Sequence, residues 1–265
     1  MSLIDQTTAD RLAAELATSE RECRPITLLT QRFPDMTRAD ARAVARARDR
    51  LRVAEGDRRI GYKLGWTSAA MRRSLGISRP NWGTLWESQV LSSGQMLDVG
   101  MLRHPKVEPE IVYRVGADLD GLGATVTTGM VEEACGGWAV GLEVVDPRFP
   151  DYRFDWLDNT ADNSSASRVV QSTWVAGPSD TAAWTVEFSD GEATMDGLGA
   201  AAMGSPVNAV MWLVEALAEE GERLRAGDIV FTGGITPPLD VSAGRSYRAS
   251  APRTGLAVSF DASHP

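Results

Sequence analysis

Histidine and cysteine are scarce, with two of each in 265 residues. His264 stands next to the end of the chain, where fraying is the rule, and His104 precedes Pro105 in a setting that suits a structural or surface role. Two such histidines exclude an argument for a Ser/His/Asp set. Cys23 and Cys135 lie in unrelated contexts, with no CxxC pair and no Cys/His cluster. Neither a disulfide framework nor a zinc site is expected, and a reducing compartment fits. No run of about 18 consecutive apolar residues is present, so no membrane span is expected. The opening segment MSLIDQTTADRLAAEL lacks a basic n-region and an apolar h-region, so it does not read as a signal peptide, and a cytoplasmic location is expected. Positive charge is also short: 27 Lys and Arg against 36 Asp and Glu give a net charge of -9. Such a surface repels phosphate backbones, which argues against a nucleic-acid partner. An anionic substrate would need local positive charge from a metal, Lys or Arg.

A hydrophobic share of 43% with 24% charged residues is that of a globular chain. The length suffices for one large domain, or one domain with a small appendage. Residues 7–20 carry Leu12, Ala13, Leu16 and Ala17 at helical spacing, with Thr8 or Asp10 as caps. A loop with Pro25 and Pro34 follows, then a second helix capped by Thr37 and ended by Gly56. From residue 58 the character changes. RRIGYKLGW reads as a short strand and TSAAMRRSLG as a short helix ended by Gly76. VEPEIVYRV, GWAVGLEVVD, RVVQSTWV, WTVEFSDGE, DIVFTGG and LAVSF read as strands from their β-branched and aromatic content. One clear helix interrupts them, with Ser205 as N-cap and Pro206 in the first helical position. The expectation is an α+β protein: a helical N-terminal section over residues 1–57 and a β-rich catalytic, metal-binding domain over 58–265.

Five segments could carry chemistry. In HPKVEPEIVYRV, Glu108 and Glu110 are two apart, so a strand points both to one face. Adjacent carboxylates repel unless something compensates, and a hard divalent cation does so through oxygen ligands. A solvated strand face with two surface glutamates is the plainer reading. In GWAVGLEVVD, Glu143 stands in a nearly continuous apolar run, which predicts a strand buried on both faces. A buried carboxylate needs a partner, either a salt bridge or a metal. Three carboxylates leave an octahedral metal with three open positions, which suit a bidentate 2-oxo acid and a water. Lys63, in GYKLGW, either snorkels to the surface or pairs with a substrate anion and shuttles a proton. LDNTADNSSASR, residues 157–168, reads as a turn-rich loop with many donors and acceptors. FTGGITPP, residues 231–238, is a strand running into glycines, compatible with anion-binding N–H groups or with a simple tight turn.

Taken together, GYKLGWTSAAM, RPNWGTL, HPKVEPEI, VGLEVVDPRFPDYRF, ADNSSASR and GDIVFTGGIT resemble the fumarylacetoacetate hydrolase superfamily. Within it they are most similar to the 2-oxopent-4-enoate hydratase and 4-oxalocrotonate decarboxylase branch. They run in the family's order across roughly residues 58–236. The resemblance, and not the spacing, selects the metal reading. It implies a mixed, largely β fumarylacetoacetase-like fold holding Mg²⁺ or Mn²⁺. It carries metal ligation onto Glu108, Glu110 and Glu143, and a catalytic role onto Lys63. It carries substrate contacts onto Ser165, Thr232 and Gly233. It also implies a homo-oligomer. One departure bears on the reaction: hydratases of this type have an acidic residue where RPNWGTL has Asn81, and an amide is no general base. The SSASR ending and DPRFPDYRF look closer to the decarboxylases. Trp66, Trp82, Trp86, Trp156 and Trp174 lie in or near these segments and are either core or the lining of an enlarged pocket. The resulting expectation is a metal-dependent lyase acting on an unsaturated 2-oxo acid, decarboxylase-like, with hydratase chemistry as the alternative. A C–C hydrolase, which would need a His–Glu pair to activate water, ranks lower. A repurposed biosynthetic enzyme or a non-catalytic metabolite-binding protein on the same fold is the rival from another class.

Overall fold

In a computed structural model, which describes residues 4–123 and 125–264, the first helix begins one turn earlier than its apolar stripe. Asp5 accepts the Thr8 N–H at 2.8 Å and starts α1 (Gln6–Glu22). The apolar stripe begins later because Gln6, Thr7 and Thr8 are polar and none of them is buried; the buried face starts at Ala9. A single turn, α2 (Leu29–Arg32), lies between Pro25 and Pro34. Thr37 and Asp40 then form the capping box of α3 (Arg38–Ala54), and Gly56 follows at φ 85°. The strand β1 (Arg59–Gly65), the helix α4 (Ala69–Leu75) capped by Ser68, and β2 (Asn81–Trp86) complete the first third of the chain.

The body continues with β3 (Met96–Asp98), β4 (Lys106–Val115), α5 (Thr128–Glu133), β5 (Cys135–Val145), α6 (Trp156–Ala161) and β6 (Ala166–Gln171). It ends with β7 (Thr185–Ser189), β8 (Thr194–Leu198), α7 (Pro206–Ala218), β9 (Ile229–Phe231), β10 (Leu239–Asp240), β11 (Ser246–Ala251) and β12 (Leu256–Ser263). The strands form two mixed sheets, ordered β2-β1-β9-β4-β5-β6, with β10 added beside β4, and β3-β12-β11-β7-β8. This is the expected α+β architecture.

The two-residue period of a strand sorts β4 and β5 into two faces. Val107, Ile111, Tyr113 and Val115 of β4 join Trp138, Val140, Leu142 and Val144 of β5 in the main core, together with Phe260 of β12 and Leu213 of α7. The alternate positions, among them Glu108, Glu110 and Glu143, face the other way. There Leu85 of β2 and Ala166 and Val169 of β6 pack with Val112 and Ala139, and Lys63 of β1 reaches Glu143. A second core joins Leu12 and Leu16 of α1 and Val44 of α3 to Phe149 and Ala161, so the N-terminal helices pack on the segment that carries α6.

One apolar helix needs placing, and one expectation changes. The stretch Gly199–Ala218 passes, by length and composition, as a membrane-crossing helix. In the fold α7 is its regular part, and Val210, Leu213, Val214 and Leu217 are fully buried in the protein core. The segment 157–168, which reads as a loop, instead opens with α6, because Asp155 accepts the N–H groups of Leu157 at 2.8 Å and Asp158 at 3.1 Å. A capping side chain outweighs the turn-forming composition that follows it.

Candidate metal and active site

The register of β4 against β5 sets Glu108 directly opposite Glu143, and Glu110 opposite Gly141. Three carboxylates thus share one face, and an oxygen from each lies within 4.8 Å of the others. Opposed like charges destabilise a strand pair. Glu110 and Glu143 are fully buried, while Glu108 is partly open to a cavity. Burial, reinforced by the Glu143 charge and opposed by Lys63, pushes Glu108 up to about 7. Burial and the Glu143 charge raise Glu110 well above the usual carboxylate range.

Lys63 is the cation of this cluster. On β1 it is 2% exposed, and its Nζ lies 3.1 Å from Glu143 Oε2. It also donates to the Ser164 carbonyl at 3.0 Å and the Ser164 hydroxyl at 3.2 Å. Of the alternatives left open by the sequence, it therefore does not snorkel. One ammonium cannot answer three carboxylates. Among the described residues, Glu110 Oε1 and both Glu143 oxygens are buried without a hydrogen-bond partner, although Oε2 has Lys63 as its ion-pair neighbour. Oxygen-only donors, clustered and short of partners, fit a hard divalent cation.

The glycine turn after β9 closes one side. Gly233, at φ 102°, donates its N–H to Glu110 Oε2 at 2.7 Å. A Cβ at Gly234 would fall 2.8 Å from the Glu108 carboxyl carbon, so the backbone there is pressed against the carboxylates. The other side is a left-handed turn. Asn163, Ser164 and Ser165 have φ of 54°, 52° and 58°. Each costs roughly 1 kcal/mol or more outside glycine, the kind of strain that gathers at functional sites. Its anchor is Asp162, fully buried, which accepts the Arg148 N–H at 2.9 Å, Arg148 Nε at 2.5 Å and Arg48 Nη1 at 3.0 Å. Arg48 belongs to α3, so the N-terminal helices brace the turn that holds Lys63.

Asn81 completes the network. Its amide donates to Asn159 Oδ1 at 2.7 Å, and its Oδ1 accepts the Ser164 hydroxyl at 3.0 Å. Asn159 in turn donates to the Ser165 hydroxyl at 2.7 Å. Both ends of the Asn81 side chain are committed, and its position beside Ser164 is one residue from Lys63.

A cavity of about 670 Å³ opens onto Lys63, Glu108, Ser164, Ser165 and Gly234. Thus Lys63, Ser165 and Glu108 reach its wall, with Glu110 and Glu143 behind. Thr232 and Gly233 do not reach it: the Thr232 hydroxyl donates to the Ile111 carbonyl at 2.8 Å, and the Gly233 N–H serves Glu110. Gly234 takes the wall position. Of the five tryptophans near the motifs, Trp66 and Trp156 line the cavity, whereas Trp82 and Trp86 are buried core. Trp174 instead stacks beneath Arg114, 5.1 Å from ring to guanidinium. Two contributors escaped the sequence reading. Ser164, the neighbour of the expected Ser165, holds Lys63, and Asn159 ties the network together. The dense Asp/Asn/Ser run signalled the segment but not which side chains turn inward.

No family profile matches the chain. Individual proteins do. It is 35% identical to 4-oxalocrotonate decarboxylase of Pseudomonas sp. (strain CF600), over 88% of this chain and 89% of the relative. It is 33% identical to 2-keto-4-pentenoate hydratase of Paraburkholderia phymatum, over 92% and 94%. The structure of 4-oxalocrotonate decarboxylase from Pseudomonas putida G7, complexed with magnesium and adipate, superposes with a TM-score of 0.94 at 30% identity, covering 99% of this chain and 100% of that one. The fold alone is shared with a fumarylpyruvate hydrolase from Pseudomonas aeruginosa in complex with Mn²⁺ and pyruvate, at a TM-score of 0.60 and 17% identity over 78% of this chain and 90% of that one.

Proposed function

The chain belongs to the fumarylacetoacetate hydrolase superfamily, in its branch of 4-oxalocrotonate decarboxylases and 2-keto-4-pentenoate hydratases, and from that premise we propose that it is a divalent-metal-dependent lyase that decarboxylates an unsaturated 2-oxo acid of the 4-oxalocrotonate type. The observation that carries the reading is the trio Glu108, Glu110 and Glu143, undercompensated by Lys63 alone at the wall of a cavity. We assign these three carboxylates to Mg²⁺ or Mn²⁺. When bound, the metal supplies Lewis-acid stabilisation of the negative charge that gathers on the 2-oxo oxygen.

The remaining steps belong to the chain. When the bond to the departing carboxylate breaks, its electron pair runs through the unsaturation toward the 2-oxo oxygen. Lys63 Nζ, fixed by Ser164 and Glu143, holds a cation beside that charge and a proton to give to the product carbon. Ser165 offers its hydroxyl to the substrate from the left-handed turn. Thr232 and Gly233 act at one remove, by fixing the turn and Glu110. We assign residues 1–57, described from residue 4, to a helical section that lends Leu28 and Thr30 to the cavity, and 58–265, of which 124 and 265 lie outside the described residues, to the catalytic body. A small-molecule substrate, a cytoplasmic location and a homo-oligomeric assembly accord with this reading.

Decarboxylation is favoured over hydration by Asn81. Hydration needs a base to activate water, and the amide there is neutral and engaged at both ends. The similarity to a hydratase keeps hydration as the second reading. The test is an assay of 4-oxalocrotonate and 2-keto-4-pentenoate, each with Mg²⁺, Mn²⁺ or EDTA. Metal-dependent CO₂ release from the first is the expected result. Loss of the second substrate without CO₂ would transfer the assignment to hydration. Inertness toward both, with metal bound, would point to a biosynthetic enzyme working on larger 2-oxo acids, or to a binding protein.

A further inference from the structure

We propose that Thr67 is a substrate-binding residue, whose hydroxyl donates a hydrogen bond to the carboxylate of the 2-oxo acid. The inference rests on the metal site assigned above. Thr67 is 1% exposed and lines the cavity, yet its Oγ1 is buried without a hydrogen-bond partner among the described residues. Buried hydroxyls almost always find one, because a threonine can rotate its O–H toward any nearby carbonyl.

The backbone around it is held in place against resistance. Trp66, immediately before it, sits at φ 56°, an outlier for a bulky side chain. The Arg72 guanidinium keeps it there by donating to the Trp66 carbonyl at 2.6 Å and the Thr67 carbonyl at 2.8 Å. Ser68 follows as the N-cap of α4. A strained, clamped peptide thus delivers one hydroxyl to one place. Such strain points to function when the group it presents is otherwise unused.

That place is the glycine turn. A Cβ at Gly233 would overlap Thr67 Oγ1, and a Cβ at Gly234 would press on the Glu108 carboxylate. The Thr67 hydroxyl and the carboxylate cluster therefore meet across two consecutive glycines. The carboxylate oxygens without a hydrogen bond there, Glu110 Oε1 and both of Glu143, of which Oε2 has Lys63 as its ion-pair neighbour, are acceptors that a cation can satisfy. The Thr67 hydroxyl has lone pairs that a cation can take, but its O–H is a donor that only an acceptor atom satisfies. It calls for a ligand oxygen brought to the cluster, and the carboxylate of a 2-oxo acid is that oxygen.

The test uses the full-length protein loaded with Mn²⁺, and oxalate as an unreactive stand-in for the 2-oxo acid. Mn²⁺ affinity is read by electron paramagnetic resonance, and oxalate affinity by calorimetry. The variants are Thr67→Val, which keeps the shape, Thr67→Ala as a second hydroxyl deletion should valine not fold, and Thr67→Ser, which keeps the hydroxyl. The expected result is Mn²⁺ affinity within about twofold of wild type throughout, with oxalate bound about tenfold or more weakly by the valine and alanine variants and restored by serine. With 4-oxalocrotonate the same two variants raise KM more than they lower kcat. Unchanged oxalate affinity in the valine or alanine protein would overturn the proposal. So would a parallel loss of Mn²⁺ affinity, which would make Thr67 part of the metal site. Failure of the wild-type protein to bind Mn²⁺ would instead remove the metal reading on which the proposal stands.

Discussion

Without metal, Glu108→Gln makes the protein more stable at neutral to alkaline pH, although it removes a residue of the active site. Glu108 faces Glu143 across the β4–β5 ladder, and burial and that charge push its carboxyl up to about 7, from 4.5. Ionising it costs at most about 3 kcal/mol more in the folded than in the unfolded chain, less where the cavity lets water reach it. The folded value is the higher one, so between pH 4.5 and about 7 the folded state binds more protons than the unfolded state. Stability from this group is complete below pH 4.5, falls as pH rises through about 7, and is level above. Glutamine has the shape without the titration, so the variant lacks this slope. For a chain of this length the difference corresponds to a melting-temperature gain of up to about 5 °C at about pH 8, shrinking toward zero near pH 5. Differential scanning fluorimetry in EDTA across this range measures it directly. Adding Mg²⁺ reverses the order at the alkaline end, because the metal stabilises only the protein that keeps its third carboxylate. A difference between the two proteins that is absent, or independent of pH, would refute the account of the carboxylate cluster.

Three further outcomes follow from the geometry. Lys63→Met lowers turnover by a factor of about 100 or more while leaving a metal site, as metal titration and activity on one sample would show; retained turnover would remove Lys63 from the mechanism. Asn81→Asp replaces the amide that donates to Asn159 at 2.7 Å, so it lowers stability by about 1–3 kcal/mol and raises hydration of 2-keto-4-pentenoate; no gain in hydration would leave Asn81 without a part in reaction choice. Gly234→Ala places a Cβ 2.8 Å from the Glu108 carboxyl carbon, so Mn²⁺ affinity falls by about tenfold or more with a smaller change in melting temperature; unchanged affinity would show that the turn does not position Glu108.

The parts of the site that the sequence discloses are those that break a local pattern. Glu143 is conspicuous because it is a charge in an apolar strand, and Glu108 and Glu110 because their spacing puts two like charges on one face. The helices at Thr37 and Ser205 are legible because their capping signals are local. What brings Glu143 opposite Glu108 is register between strands 35 residues apart in sequence, and nothing local encodes it. The segment 157–168 misleads because Asp, Asn and Ser favour turns and helix caps alike. Asp155, just upstream, decides for a helix, and the left-handed turn that follows is imposed by Arg148 and Arg48 through Asp162. In the glycine turn the resemblance points to Thr232 and Gly233, yet Thr232 is bonded to Ile111 and the Gly233 N–H to Glu110, and Gly234 takes the cavity wall. Thr67 has no sequence signal of its own. Its oddity is a missing partner, which only three-dimensional structure reveals.

The most direct test of the central claim is a Mn²⁺ titration of the wild-type protein and Glu110→Gln, followed by electron paramagnetic resonance. Glu110 is the fully buried member of the β4 pair and one of its oxygens has no partner, so its conversion to an amide removes a ligand without removing volume. The account predicts one tight Mn²⁺ per wild-type chain, none in the variant, and metal-dependent release of CO₂ only in the first. Equal Mn²⁺ binding by the two proteins, or turnover that survives in the variant, would contradict it.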